Sequence, residues 1–312
     1  GLKCLEIFHG ILNLKESHEI AKNLEETFEV SFHNEGQEIS YVSRVSEMLV
    51  DGLLWSDVGQ SLLKVVGIGV EIVDKLFAVH GSCSNSPALL VLELIKFSLT
   101  VLNEVLDRRP KYPDEHDISP LEQTLTTHVS RKLSNESSEG IHLVETISSY
   151  LYVKQDNEIP VLAIKLLRKI SILSPMSLYG SLGAKAKSLR DAFVSRLTSF
   201  TEDTVLKVAI LDFLSASVET QPGLVEVFFD FNTASATEIK EFKLGSNSCL
   251  KPVLVNLTNK TPVPVIAASF KFLHALWRHR RDMAMTTVKK SAKFWKVLSK
   301  YLMDDVPDDS DE

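Results

Sequence analysis

The stretch Ile159-Pro160-Val161-Leu162-Ala163-Ile164-Lys165-Leu166-Leu167-Arg168-Lys169-Ile170-Ser171-Ile172-Leu173 decides the fold class. Leu162, Leu166, Ile170 and Leu173 recur at i, i+4, i+8 and i+11, while Lys165, Arg168 and Lys169 fall on the other side. That pattern is one apolar stripe on a helix with a solvated back. Pro160 opens the run, where its missing N–H costs nothing. Val205-Leu206-Lys207-Val208-Ala209-Ile210 and Val263-Pro264-Val265-Ile266-Ala267-Ala268-Ser269-Phe270 repeat the theme. Aligned on Ala163, Ala209 and Ala267, the three runs stand 46 and 58 residues apart. The first spacing lies at the edge of the armadillo/HEAT period of about 40–47 residues. The second carries an extra polar loop, Asn232 to Lys243. A small residue where helices of adjacent repeats cross, with bulky apolar residues a turn later, is what stacked helix pairs require.

The rest of the chain reads the same way. Leu206, Ile210, Phe213 or Leu214, and Ser217 form a second stripe; Leu89, Leu92 or Glu93, Lys96, Leu99 and Leu102 form a less regular third. Sustained period-two alternation is absent, and Asp51-Gly52 falls inside a helical pattern. Ser119-Pro120-Leu121-Glu122 is a capping box with proline at the first helical position. Thr201-Glu202-Asp203 places a cap and two acids at a helix start, and Pro222 and Pro264 begin further helices. The expectation is roughly fourteen helices of 10–20 residues. They form one all-α, right-handed α-solenoid segment of irregular HEAT/armadillo-like repeats over residues 1–303. A possible break lies at 107–118, and an acidic disordered tail follows at 304–312.

Composition narrows the classes. At 312 residues the length suggests about two domains or one elongated unit. Hydrophobic residues at 44% and charged residues at 24% are ordinary for a folded chain and too apolar for a disordered one. The longest stretch without Asp, Glu, Lys or Arg, Leu76 to Leu92, is broken by His80, Gly81, Asn85 and Pro87. A spanning helix needs about 20 mostly apolar residues, so none is expected. No signal peptide opens the chain. It begins at Gly1 with the amphipathic pattern already running at Leu2, which reads as a piece of a longer protein. Three scattered cysteines, Cys4, Cys83 and Cys249, fit a reducing compartment, cytosol or nucleus.

Little catalytic chemistry is written in this chain. CxxC, HExxH and G-x-S-x-G patterns are missing. Val65-Val66-Gly67-Ile68-Gly69-Val70 resembles part of a dinucleotide fingerprint but lacks the third glycine and the preceding strand, so close helix packing at glycine is favoured. His274 and His279, five apart, cannot face one metal from one helix; His274 and His9 read as packed within their helices. Glu25-Glu26 reads as a solvated face. No enzyme, cofactor, metal or small-molecule substrate is expected.

One feature of the charge stands out. The net charge is −7, yet Arg278, Arg280, Arg281, Lys289, Lys290, Lys293, Lys296 and Lys300 face only Asp282 between 278 and 300. Asp304, Asp305, Asp308, Asp309, Asp311 and Glu312 follow, with Ser310 among them as a possible phosphate site. Trp277 continues Phe270 and Leu273, and Phe294, Leu298 and Leu302 share one face, so Trp277, Phe294 and Trp295 are expected in the core. Without exposed stacking aromatics, the basic run is expected to meet an acidic protein segment or the tail itself, not nucleic acid.

The segments Ser119–Gln123, Leu162–Leu167, Ser174-Pro175-Met176-Ser177-Leu178-Tyr179, Leu189–Phe193, Val218-Glu219-Thr220-Gln221-Pro222-Gly223-Leu224, Phe272-Leu273-His274-Ala275-Leu276-Trp277, Arg280-Arg281-Asp282 and Lys293-Phe294-Trp295, in this order, resemble the middle of the 188-kDa nucleoporin family. These are the large scaffold nucleoporins of the inner ring of the nuclear pore. Val66-Gly67-Ile68-Gly69-Val70 fits the same family, while residues 81–86, 130–140, 230–243 and the tail depart from it. The resemblance implies an α-solenoid without enzymatic activity, located at the nuclear envelope and supporting transport of protein and RNA. It also implies contact with linker segments of the 93-kDa nucleoporin and with inner-ring neighbours. That linker contact lies nearer the C-terminal end of the full protein, so no binding residue is carried over. The family's inserted SH3-like domain is not visible in this stretch. The alternative is a generic HEAT-repeat adaptor or transport-receptor-like scaffold outside the pore.

Overall fold

The computed structural model describes residues 2–12, 41–81, 86–109, 118–126, 143–232, 243–257, 261–290 and 292–303. Among them are sixteen α-helices, several shorter than ten residues, and one two-residue antiparallel bridge. The fold is all-α, of the irregular helical-repeat solenoid class. The helices gather in two compact units, Gly1–Leu173 and Ser174–Glu312.

The first unit runs α1 (Leu2–Leu12), α2 (Tyr41–Trp55), α3 (Asp57–Val66), α4 (Val70–His80), α5 (Pro87–Arg108), α6 (Pro120–Thr126), α7 (Leu143–Ser149), a 3-10 turn (Tyr150–Tyr152) and α8 (Glu158–Leu173). Asp51-Gly52 lies inside α2. The buried stripe of α5 is Ala88, Leu92, Ile95, Leu99, Leu102 and Leu106. Lys96 stands outside it, half-buried, and pairs with Asp156 at 3.2 Å and Glu158 at 2.8 Å. On α8 the buried arc is broader than one stripe, with Ile159, Ala163, Ile164, Leu166, Leu167 and Ile170 inside and Lys165 outside.

Helices α5 and α8 lie parallel. Lys96 meets the start of α8, the Asn103 side-chain amide donates to the Leu162 carbonyl at 3.0 Å, and Lys169 donates to Asp107 at 2.7 Å. Residue numbers rise together along both helices, at separations of 59 to 62 residues. Parallel contact between helices that are not consecutive is what stacking of equivalent helices in successive repeats produces, because each repeat contacts its neighbour in the same orientation.

The capping box forms as read. The Ser119 hydroxyl accepts from the Glu122 amide at 3.3 Å, and the Glu122 carboxylate accepts from the Ser119 amide at 3.1 Å and hydroxyl at 2.8 Å. Arg109 closes on the other carboxylate oxygen of this buried glutamate. Gly67 and Gly69 form the turn between α3 and α4, in helical context throughout. Gly69 has φ +80°, a conformation in which any other residue would be strained. The turn is sealed by Tyr150, fully buried, whose hydroxyl donates to the Val66 carbonyl at 2.7 Å and accepts from the Gly69 amide at 3.1 Å.

Tyr150→Phe is therefore expected to cost about 1–3 kcal/mol, because it leaves a carbonyl and an amide without their partner. Burial pushes the Tyr150 hydroxyl up to about 12, against a smaller opposing pull from the Gly69 amide. An unfolded tyrosine ionises near pH 10, so the native protein loses this part of its stability as pH rises from about 10 through about 12. The gap in urea midpoint between the two proteins should be wide near pH 8 and narrower near pH 11. A gap that does not change with pH would contradict this assignment.

The second unit contains α9 (Leu178–Leu182), α10 (Lys185–Thr198), α11 (Thr204–Thr220), α12 (Pro222–Phe229), α13 (Leu250–Asn256), α14 (Val263–Arg278), α15 (Asp282–Lys289) and α16 (Ala292–Met303). The bridge pairs Phe231 with Leu244 and Asn232 with Lys243. Its core is the triad Phe193, Phe213 and Phe228 from α10, α11 and α12, all fully buried, with ring centroids 5.5, 5.7 and 6.2 Å apart. Leu206, Ile210, Leu214 and Ser217 complete the expected face of α11.

Helices α11 and α14 are also parallel: Lys271 pairs with Asp212 at 2.6 Å and Arg281 donates to the Val218 carbonyl at 2.8 Å, separations of 59 and 63 residues. The 58-residue spacing read between Ala209 and Ala267 is close to that offset. The small residue itself is misplaced by one position, since Ala267 is exposed and Ala268 is buried. One residue turns a helix by about 100°, enough to exchange the two faces. The helix start near 201 also moves. Asp203 is the cap of α11, accepting from the Val205 amide at 3.0 Å, while Glu202 pairs with Arg196 at 2.7 Å and Thr201 meets the Ser199 hydroxyl.

Two sequence segments far apart in the chain join at Gln221. This buried side chain accepts from the Leu178 amide at 3.1 Å and donates to the Ser174 carbonyl at 2.8 Å, while the Met176 amide reaches the Thr220 carbonyl at 2.8 Å. The corner ties the start of the unit to the α11–α12 junction.

Candidate protein-docking face

The basic run begins at the turn between α14 and α15. Arg280 holds φ +52°, which reverses the chain. Arg281 then turns inward: its amide bonds the Leu276 carbonyl at 3.0 Å and its guanidinium bonds Val218 at the end of α11. His279 approaches Glu219 at 3.7 Å. The turn is thus held against α11, and Arg281 acts as its anchor more than as surface charge.

Outside the turn, the expectation for the aromatics is corrected. Trp277 is 60% exposed and Trp295 is 50% exposed; only Phe294 is buried. On α14 the buried arc runs from Ala268 through Phe272, Val265, Leu276, Ser269 and Leu273 to Ile266, and Trp277, about 100° from Leu276, lies just past its edge. His274 points out for the same reason and is exposed, not packed. His9 does pack, with its ring edge-on to Phe97 and its Nδ1 3.1 Å from Glu104. Leu298 is half-buried, and the Leu302 side chain lies outside the described residues.

The exposed tryptophans organise the cations. Lys289 places its ammonium 4.4 Å from the centre of the Trp277 ring, within cation–π range. Trp295 donates its indole N–H to the Lys289 carbonyl at 2.7 Å, tying the start of α16 to the end of α15. Arg278, Arg280, Lys289, Lys290 and Lys296 are exposed. The side chains of Lys293 and Lys300 lie outside the described residues, as do the acidic tail and Ser310.

Two cavities flank Arg280. One, of about 500 Å³, is lined by Trp277, Arg278, Arg280, Asp282, Met285 and Lys289. The other, of about 530 Å³, is lined by Val225, Phe229, Phe231 and Met283 together with Arg280 and Arg281. Asp282 borders both, and Glu226 borders the second. The first is cationic around an aromatic plane and the second is mainly apolar. Sequence reasoning located the cations but not the second cavity, whose walls come from α12, the bridge and α15. The Val225–Phe231 run is apolar enough to mark a core, and nothing in it signals an opening.

Among the described residues no group of three or more His, Cys, Asp or Glu could hold a metal ion, and no helix is long and apolar enough to cross a membrane. Cys249 is fully buried and burial pushes its thiol up, so it is held as a neutral packing group.

Comparison with known proteins places the chain in a family. A family model described as Nucleoporin Nup188, N-terminal subdomain III, matches residues 1–232. The chain is 34% identical over 310 residues to Nucleoporin NUP188 of Mus musculus and, equally, to that of Homo sapiens, covering 96% of this chain and 16% of each relative. Nucleoporin Nup188 of Drosophila melanogaster is 25% identical over 269 residues, covering 81% of this chain and 14% of that protein. The chain thus spans about a sixth of the length of the curated relatives it matches.

Proposed function

This chain belongs to the Nup188 nucleoporin family, and from that premise we propose that it is one stretch of the structural scaffold of the inner ring of the nuclear pore complex. It works at the nuclear envelope, through protein–protein contacts, in support of the passage of protein and RNA, and carries no catalytic step. The observation that carries the reading is the family match over residues 1–232, joined to parallel stacking of helices about 60 residues apart. A stack of this kind offers long helical faces for neighbours, which is what a scaffold requires. Its partners are other nucleoporins, with linker segments of the 93-kDa nucleoporin bound through parts outside this stretch.

The exposed cations at Arg278, Arg280, Lys289, Lys290 and Lys296, with Lys293 and Lys300 on the same helices, form the protein-contact face, and its partner is an acidic protein segment. One feature supports protein over nucleic acid. The Trp277 ring already carries Lys289, which competes with base stacking there. Exposed charge contacts of this type weaken as salt shortens the Debye length to about 8 Å.

Affinity capture of the full-length protein from nuclear envelopes tests the scaffold role. Recovery with inner-ring nucleoporins is expected. Recovery with coat or kinase complexes, and without inner-ring nucleoporins, would overturn it in favour of an adaptor outside the pore.

A further inference from the structure

We infer that the two cavities beside Arg280 form one composite docking site for a linear protein segment in which a carboxylate stands within a few residues of a bulky apolar side chain. The inference rests on the protein-contact reading of the basic face and adds to it the kind of segment that fits.

The cation side is available for a ligand. Arg278, Arg280 and Lys289 make no ion pair with any described residue, and they surround a cavity of about 500 Å³ that only Asp282 opposes. A carboxylate entering between Arg278 and Arg280 would gain charge-assisted hydrogen bonds from guanidinium groups that now lack an acidic partner. The Trp277 plane and the Lys289 ammonium above it give that pocket a side wall suited to the stem of an acidic residue.

The neighbouring cavity suits a different group. Val225, Phe229, Phe231 and Met283 make its walls apolar, and Met283 is 39% exposed. At about 530 Å³ it can take a leucine or phenylalanine side chain. Because Arg280 borders both cavities, the acid and the anchor must be close in the ligand. In an extended segment, residues i and i+2 lie on one face about 7 Å apart, which suits two adjoining pockets. Charge complementarity selects the acidic segment, and the apolar pocket distinguishes it from a purely acidic stretch. Arg281, bonded to Val218, and the left-handed Arg280 keep the dividing turn in place before a ligand arrives, which lowers the ordering cost of binding.

The test uses the full-length protein and fluorescent probes at about physiological salt. One probe is a 12-residue peptide of alternating aspartate and serine with a central Leu-Phe pair. A second replaces that pair by Ala-Ala, and a third is 12-mer oligouridine. The first probe is expected to bind at least tenfold more tightly than the second. Arg280→Glu and Lys289→Glu, both at exposed positions, should each weaken the first probe about tenfold or more. Met283→Gln, which adds no charge beside Arg280, should remove the preference for the Leu-Phe pair and leave binding of the second probe unchanged. Equal binding of the two peptides, insensitive to Met283→Gln but lost in Arg280→Glu, would overturn the composite site and leave the basic face intact. Binding of neither peptide would overturn both readings, and tighter binding of oligouridine would make the face a nucleic-acid surface. Replacing Asp304, Asp305, Asp308 and Asp309 by asparagine should not change the affinity. A tenfold tightening would make this chain's own acidic segment the occupant and overturn an external one.

Discussion

Phe213→Ala is expected to destabilise the Ser174–Glu312 unit by about 3–5 kcal/mol, the usual cost of emptying an aromatic site in a packed core. Phe213 is fully buried and touches two other buried rings, with centroids 5.7 Å away at Phe193 and 6.2 Å away at Phe228. The three rings come from three helices, so a void at Phe213 cannot be closed by one side chain swinging in. Each ring also loses an edge-to-face neighbour, worth about 0.5–1.5 kcal/mol beyond area. Phe200→Ala is the matched control. That ring is 98% exposed, and its removal should change stability by less than about 0.5 kcal/mol. Urea unfolding followed by near-ultraviolet circular dichroism measures both. A Phe213→Ala loss below about 1 kcal/mol would mean the helices collapse into the void and that the triad does not hold the unit together.

Arg190→Met should cost about 3 kcal/mol, the lower end of the range for stripping one partner from a buried ion pair. The Arg190 side chain is 10% exposed and joins Asp230 at 3.0 Å and Asp191 at 2.9 Å. Asp230 sits at the end of α12 with φ +48°, and its carbonyl accepts from the Gly245 amide at 2.7 Å, next to the bridge. Asp191 also receives the Asn247 side-chain amide at 3.0 Å. One guanidinium therefore ties α10 to the segment that carries the bridge and α13. The low end of the range applies because Asp191 is about half exposed and keeps its water. Methionine preserves most of the volume, so the loss reports on the unpaired Asp230. Adding Asp230→Asn should recover a large part of it, and a double-mutant cycle measures the coupling. Strict additivity of the two changes would show that the pair does not interact and that the node is held by packing alone.

Much of this architecture was legible beforehand, and the errors have a common form. The apolar stripes on α8 and α11, the Ser119–Glu122 box, the prolines at helix starts and the helical context of Gly67–Gly69 depend on residues within one or two turns of each other. Local chemistry settles them. Ala267, Trp277, Trp295 and His274 were assigned to the wrong side. In each case the period was right, and what failed was the position of the arc's edge, a matter of about 100°. Where that edge falls depends on how much of the helix its neighbours cover. Arg281 was read as one more surface cation, and its role is inward because the carbonyl at the end of α11, 63 residues earlier, lies within reach. The Thr201 region shows the same limit at short range: three consecutive capable residues compete for one cap, and Asp203 takes it because Glu202 is drawn to Arg196.

The amino-acid sequence by itself determined that this chain is helical, where most helices begin, which family it belongs to and that its basic residues gather after Arg278. Periodicity, capping and charge order are one-dimensional properties, and one-dimensional information suffices for them. Only the tertiary structure decided that helices about 60 residues apart lie parallel, that Tyr150 closes the Gly67–Gly69 turn and that Gln221 joins segments 43 to 47 residues away. It also decided that Trp277 and Lys289 stand outside while Arg281 faces in, opening two unlike cavities around Arg280. The reason is physical: an amphipathic side chain such as tryptophan or arginine is nearly indifferent to which way it faces until packing supplies a partner. That partner comes from a distant part of the chain.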